Sequence, residues 1–196
     1  MQKSSKFFLL AFLVGSVVFF GYGNICAAQD GGEITKENWR QHPKIKEVRN
    51  IYQSVNAGRK RLRMKKRTFE YCEPHEDSVR ILGTDASGRV RFYQKEGGSE
   101  DSALKFEHYY DEAGRLRFVL ITGGAVNGSK VEHRIYFDAD GKRIWEIRSF
   151  TDPGYTWPEV WPDEQLQISD PAAKFSSDSP CPEIKARAGG RQRARG

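Results

Sequence analysis

Three aspartates recur at near-even spacing in the middle of this 196-residue chain: Asp85, Asp111 and Asp138, 26 and 27 positions apart. Carboxylates at a fixed period raise two chemistries, a shared cation site and a carboxylate pair for acid–base work. Each aspartate, however, opens the same pattern, Asp-x-x-Gly-basic, at Asp85/Gly88/Arg89, Asp111/Gly114/Arg115 and Asp138/Gly141/Lys142. In that pattern the carboxylate accepts from backbone N–H groups two residues on, and the glycine takes a positive φ to close a type I turn with a bulge. Turn chemistry accounts for all three aspartates and puts them at separate hairpin tips, so no metal site is expected from them.

The other reactive residue types form no catalytic pattern. The four histidines, His42, His75, His108 and His133, lack paired ligand spacing. His108 and His133 hold similar places in two repeats and are expected on one sheet face. There is no Gly-x-Ser-x-Gly elbow. Gly123–Lys130 (GGAVNGSK) resembles a phosphate loop in its glycine spacing, but Ser129-Lys130 reverses the order such a loop needs, and Asn127-Gly128 reads as a tight turn. No spacing singles out two carboxylates for glycosidase chemistry. No enzymatic activity and no cofactor are expected.

Two stretches carry binding chemistry, each with a structural alternative. Arg59, Lys60, Arg61, Arg63, Lys65, Lys66 and Arg67 put seven basic residues in nine. They form either an anion-binding strip or a solvated strand face with Leu62 and Met64 inward. Stacking aromatics do not interleave with them, which argues against single-stranded nucleic acid. Farther on, Tyr155, Trp157 and Trp161 lie in PGYTWPEVWP, within a region holding six of the eight prolines. Exposed, they suit a protein or glycan partner; folded back, they seal an open sheet face.

The elements that position these residues follow from period and punctuation. Val79–Tyr93, Lys105–Val119 and Glu132–Glu146 align without gaps, and their flanks alternate as strands do. Three successive hairpins, together a meander over 61–150, are expected. Upstream, Thr35 suits a helix N-cap, with Ile34 stapled to Trp39, and Pro43 suits the first position of a second helix. In that second helix Ile45, Val48, Ile51, Tyr52 and Val55 share one face and Gly58 stops it, so the helical region spans 35–58. The fold class is α+β and mainly β: an antiparallel meander sheet of about six or seven strands, one or two N-terminal helices packed on it, and a Pro-rich C-terminal strap over 151–182.

At Tyr110-Asp111-x-x-Gly-Arg-Leu and Phe137-Asp138-x-x-Gly-Lys the repeat resembles the YD (Rhs-type) hairpin repeat, over about a third of the chain. The first copy departs from it, with Thr84 before Asp85. The resemblance implies a surface or interaction protein and no catalytic residues.

Residues 1–28 read as a secretory signal peptide. Lys3 and Lys6 precede the apolar run Phe7–Phe20, and Cys26-Ala27-Ala28 offers small residues for cleavage before Gln29. The alternative is an uncleaved anchor, the one membrane contact expected. The whole chain carries +6, and without the two leader lysines the mature chain carries +4, too little for a dedicated nucleic-acid binder. In an exported chain the two remaining cysteines, Cys72 and Cys181, suggest a disulfide. Residues 183–196 read as a disordered basic tail. The expected function is that of an exported, periplasmic or secreted, non-enzymatic protein that binds a macromolecule through the sheet surface or the Trp-bearing strap. The alternative is a periplasmic carrier of an anionic amphiphile (a lipid-like ligand), with an envelope hydrolase, which rests on no motif, a distant third.

Overall fold

The three Asp-x-x-Gly turns share one geometry. In each, the aspartate N–H donates to the carbonyl of the basic residue four positions on, at 2.9 Å for Asp85–Arg89, 3.0 Å for Asp111–Arg115 and 2.9 Å for Asp138–Lys142. The aspartate Oδ1 accepts from two backbone N–H groups, those of Ser87 and Arg89, Ala113 and Arg115, and Asp140 and Lys142. Gly88, Gly114 and Gly141 sit at φ +85°, +78° and +80°, where a Cβ is strained.

These turns belong to a computed structural model whose described residues are 31–71, 78–151 and 154–177. The leader, the basic tail, His75 and the Cys72–Cys181 pair lie outside them. The frame is one seven-stranded antiparallel sheet: β1 (Arg63–Phe69), β2 (Ser78–Thr84), β3 (Val90–Gly98), β4 (Ser102–Tyr110), β5 (Leu116–Ala125), β6 (Lys130–Phe137) and β7 (Arg143–Thr151). Its spatial order is its sequence order. The fold is therefore α+β and mainly β, a meander.

Each turn is followed by a register shift that inserts one unpaired residue. Gly83 faces Phe92 while Thr84 faces Val90, so Arg91 is extra; by the same shift Arg117 and Ile144 are extra. The two arginines use the bulge alike. Arg91 Nε donates to the Tyr110 carbonyl at 3.1 Å and Arg117 Nε to the Phe137 carbonyl at 3.2 Å. Each acceptor is the residue just before the aspartate of the next turn, so a bulge arginine fastens its hairpin to the following one. The third repeat, which has no successor, carries Ile144.

Pairing sets two faces. On one, Phe92, Tyr109, Phe118, Tyr136 and Trp145 are successive cross-strand neighbours. The helix α1 (Pro43–Ala57) lies on this row through Ile45, Val48 and Val55. Tyr52 meets the rings of Tyr109 and Phe118 edge-on at 4.9 and 5.1 Å. Such ring pairs add about 0.5–1.5 kcal/mol each beyond their buried area. His42 caps α1 by accepting from Lys44 N–H, and Pro43 opens it. The expected first helix does not form. Residues 36–41 make turns, closed by Trp39 N–H to Thr35 O and His42 N–H to Asn38 O. Pro43 has no N–H to continue them, and one turn alone does not pay its nucleation cost.

The opposite face is covered by the C-terminal strap, residues 154–177, which contains two short helices, α2 (Asp163–Leu166) and α3 (Pro171–Ser176). Trp161 and Leu166 pack on Phe106, Val119, Ile121, Ile135 and Phe137, and Ile168 and Phe175 pack on Leu82, Tyr93 and Tyr110.

Candidate functional site

Of the two readings of the strap tryptophans, the structure has the sealing one. Trp157 and Trp161 are each 4% exposed. Their indole N–H groups, which need partners once buried, donate to Ser129 Oγ at 3.1 Å and His133 Nδ1 at 2.9 Å. Tyr155 bonds Ser102 Oγ at 2.7 Å and packs on Trp157. These three residues, expected as candidates for partner contact, are internal fasteners. Arg148 holds the strap from β7 by donating to the carbonyls of Glu159 and Pro158.

The basic strip is divided rather than continuous. Arg59–Arg61 form a 3-10 turn. Arg59 lies over the Phe92 ring at 3.9 Å and reaches Glu107 at 3.5 Å and Gln94 at 3.4 Å, all on the helix side. Along β1, alternation sends Lys66 to the helix side and Arg63, Lys65 and Arg67 to the strap side. Arg67 donates to the Phe175 carbonyl at 2.8 Å. Lys60, Arg61, Arg63, Lys65 and Lys66 are exposed. Leu62 packs inward, while Met64 stays 42% exposed beside Gly83. Because β1 is an edge of the sheet, its row of charges also discourages pairing with another chain.

The turn residues serve the turns, with one addition. Asp111 Oδ2 receives Arg115 at 2.9 Å and Arg117 at 3.3 Å. Arg117 is only 2% exposed and also pairs with Glu47 of α1 at 2.9 Å. Burial pushes the Asp111 carboxyl up, but the Arg115 bonds and charge bring it below its ordinary value. The middle turn is thus tied to the helix.

The histidines share the strap face, as expected, but serve separate ends. His133 accepts from Trp161 at Nδ1, so its Nε2 carries the proton and donates to Glu146 at 3.2 Å. His108 is fully buried, and its Nε2 donates to the Gln165 carbonyl at 2.8 Å. Burial lowers both below the usual imidazole value, His108 to about 4. No group of three or more His, Cys, Asp or Glu side chains suited to a metal is present among the described residues.

On the helix side α1 covers the Phe92–Trp145 row, and two more rows follow, Gln94–Glu107–Leu120–Arg134–Ile147 and Glu96–Lys105–Thr122–Glu132–Ser149. Gln94 and Glu107 are buried in the first of them, while Arg134, Glu96 and Ser149 are exposed. Glu107 is buried there with its two oxygens paired to Arg59 and Lys105. Where the helix flank meets these rows there is a cleft of about 250 Å³ lined by Arg49, Tyr52, Gln53, Phe118, Leu120, Arg134 and Tyr136. Arg49 is steadied by the Trp39 ring at 4.9 Å and the Arg40 carbonyl at 3.1 Å. Arg134 is exposed and uses Nε on Glu132 at 2.8 Å. Neither arginine stands out in the sequence, because the cleft joins a helix to strands some 80 residues later.

No protein-family model matches the chain, and no match was found among curated proteins or solved structures.

Proposed function

We propose that the protein is an exported, non-enzymatic binding protein whose contact surface is the helix-side sheet face beside α1. The observation that supports this most is the cleft, where Arg49 and Arg134 border a floor of Tyr52, Phe118, Leu120 and Tyr136. Two guanidiniums beside aromatic rings suit a carboxylate carried on an apolar body. An acidic segment of a partner protein offers that chemistry; a neutral glycan does not. The carrier alternative has less support. Phe92, Phe118 and Trp145 pack against α1 rather than lining a lipid-sized cavity, and about 250 Å³ lies below the usual small-molecule range of roughly 300–1,000 Å³. Export rests on residues 1–28 alone.

Native mass spectrometry of the mature protein from its own envelope, as wild type and as the Arg49→Glu/Arg134→Glu variant, tests this. The expected result is a protein partner of fixed stoichiometry that the wild type keeps and the folded variant loses. A lipid-sized adduct, or a partner kept equally by both, overturns it. The same spectrum reports whether the chain starts at Gln29 and whether its mass is that of a Cys72–Cys181 disulfide.

A further inference from the structure

On the strap side the sheet carries a row of like charges. Arg67 of β1 faces Arg80 of β2, and Arg80 faces Lys95 of β3. Like charges directly opposite each other across strands are destabilising. Arg67 and Arg80 turn toward the C-terminal end of α3. Arg80 Nη1 donates to the carbonyls of Lys174 at 3.3 Å and Ser177 at 3.0 Å, and to Ser177 Oγ. That leaves Lys95 half-buried behind them. The helix covering it adds not a carboxylate but another cation, Lys174.

Lys95 and Lys174 line a pocket of about 160 Å³ between α2, α3 and the sheet, with Phe106, His108, Glu164, Gln165 and Ile168. Among the described residues, no ion pair involves Arg80, Lys95 or Lys174. Glu164 shares the pocket but pairs with neither lysine. Burial, then the charges of Arg80 and Lys174, lowers the Lys95 amine below its ordinary value. Three cations gathered at one half-covered point, with no ion pair to an acid among the described residues, suit a counter-charge taken from outside.

We propose that this pocket binds a small tetrahedral oxyanion, phosphate or sulfate, between the ammonium groups of Lys95 and Lys174, with Arg80 beside Lys95 on the next strand. At about 30 Å³ per water, 160 Å³ is room for about five waters, enough for a five-atom oxyanion. A doubly charged anion answers more than one of the surrounding cations, where a monocarboxylate answers one. His108 adds no charge at neutral pH, because burial holds its imidazole well below the usual value, at about 4.

The test uses the full mature chain at constant ionic strength, titrated with sodium phosphate, sulfate, acetate or chloride and read by calorimetry and melting temperature. Phosphate or sulfate is expected to bind saturably and raise the melting temperature, with acetate and chloride inert. Lys174→Met, on the exposed side of α3, is expected to weaken binding at least about tenfold, as losing one charge-assisted bond implies. Lys95→Met relieves the repulsion, so it is expected to melt higher than wild type without oxyanion and to lose the oxyanion response. No saturable response to either oxyanion, or equal responses in wild type and both variants, overturns the proposal.

Discussion

Replacing aspartate by asparagine in each of the three turns makes one substitution in one local geometry with three different surroundings. Asparagine keeps the Oδ1 acceptor that closes the turn and puts a neutral NH2 donor where Oδ2 stood, so the charge and any arginine bond to Oδ2 are lost. At Asp85 the charge faces Arg89, which is more than half exposed, and solvent screens the pair. At Asp138 no ion pair is formed among the described residues. At Asp111 the charge answers Arg117, which is buried under α1. Stranding one member of a buried pair costs about 3–5 kcal/mol. Glu47 remains at 2.9 Å but is itself more than half exposed, so it offsets only part, and a loss of about 2–3 kcal/mol is expected for Asp111→Asn. The outer variants are expected to shift far less. Urea unfolding followed by tryptophan fluorescence and far-UV circular dichroism measures all three on one scale. Adding Arg117→Met to Asp111→Asn removes the stranded charge and is expected to recover a good part of the loss. Three variants of equal stability, or no recovery in the double variant, would refute the argument that Asp111 answers a buried cation.

Two further outcomes follow from the same structure. Gly114→Val is expected to cost more than about 1 kcal/mol, since φ is +78° and open space surrounds the missing Cβ, so the loss reports backbone strain alone; an unchanged urea midpoint would mean the turn has another shape in solution. For His108 the folded value is depressed to about 4 from 6.5, so the unfolded chain binds a proton that the folded one refuses, and stability is full above about pH 6.5 and falls as pH drops toward 4, by about 3 kcal/mol in all. His133 is lowered too and acts in the same sense. Between pH 7.5 and 4.5 the wild type should lose more stability than His108→Gln; equal losses would mean the imidazole is not held neutral by burial.

Much of the frame was legible because its determinants are local. A carboxylate, a glycine three residues after it and alternating flanks specify a hairpin wherever they stand, and three such hairpins after one edge strand make the meander. What lay hidden depended on partners distant in sequence. Trp157 and Trp161 read as contact residues or, with the better case, as anchors, and what they fasten to came only with Ser129 and His133, each 28 positions away, which accept their indole protons. Strand alternation divided the basic strip between faces but did not tell that Arg59 is spent on Phe92 and Glu107. Arg117 escaped notice because the bulge inserts it between the two alternating sets. Arg91 and Arg117 do stand at the same offset after their turn glycines, and that repeat, followed through to Ile144, was the available signal. The cleft at Arg49 and Arg134 and the cation row ending at Lys95 arise only from strand pairing and left no local mark.

The placement of the strap has a consequence for how the chain is completed. Every strand pairs with its neighbour in sequence, so the sheet can zip from β1 to β7 without waiting for a distant segment, an easy route for a protein rich in β-structure. The strap is the exception. Until residues 154–177 have arrived and docked, one whole side of a finished sheet, including Tyr93, Phe106, Val119, Ile121 and Ile135, stands open to water and to other chains. Trp157 and Trp161 then act as the last closures of the molecule, and a chain cut short before them would present an apolar sheet, complete in its hydrogen bonds, as a surface for aggregation.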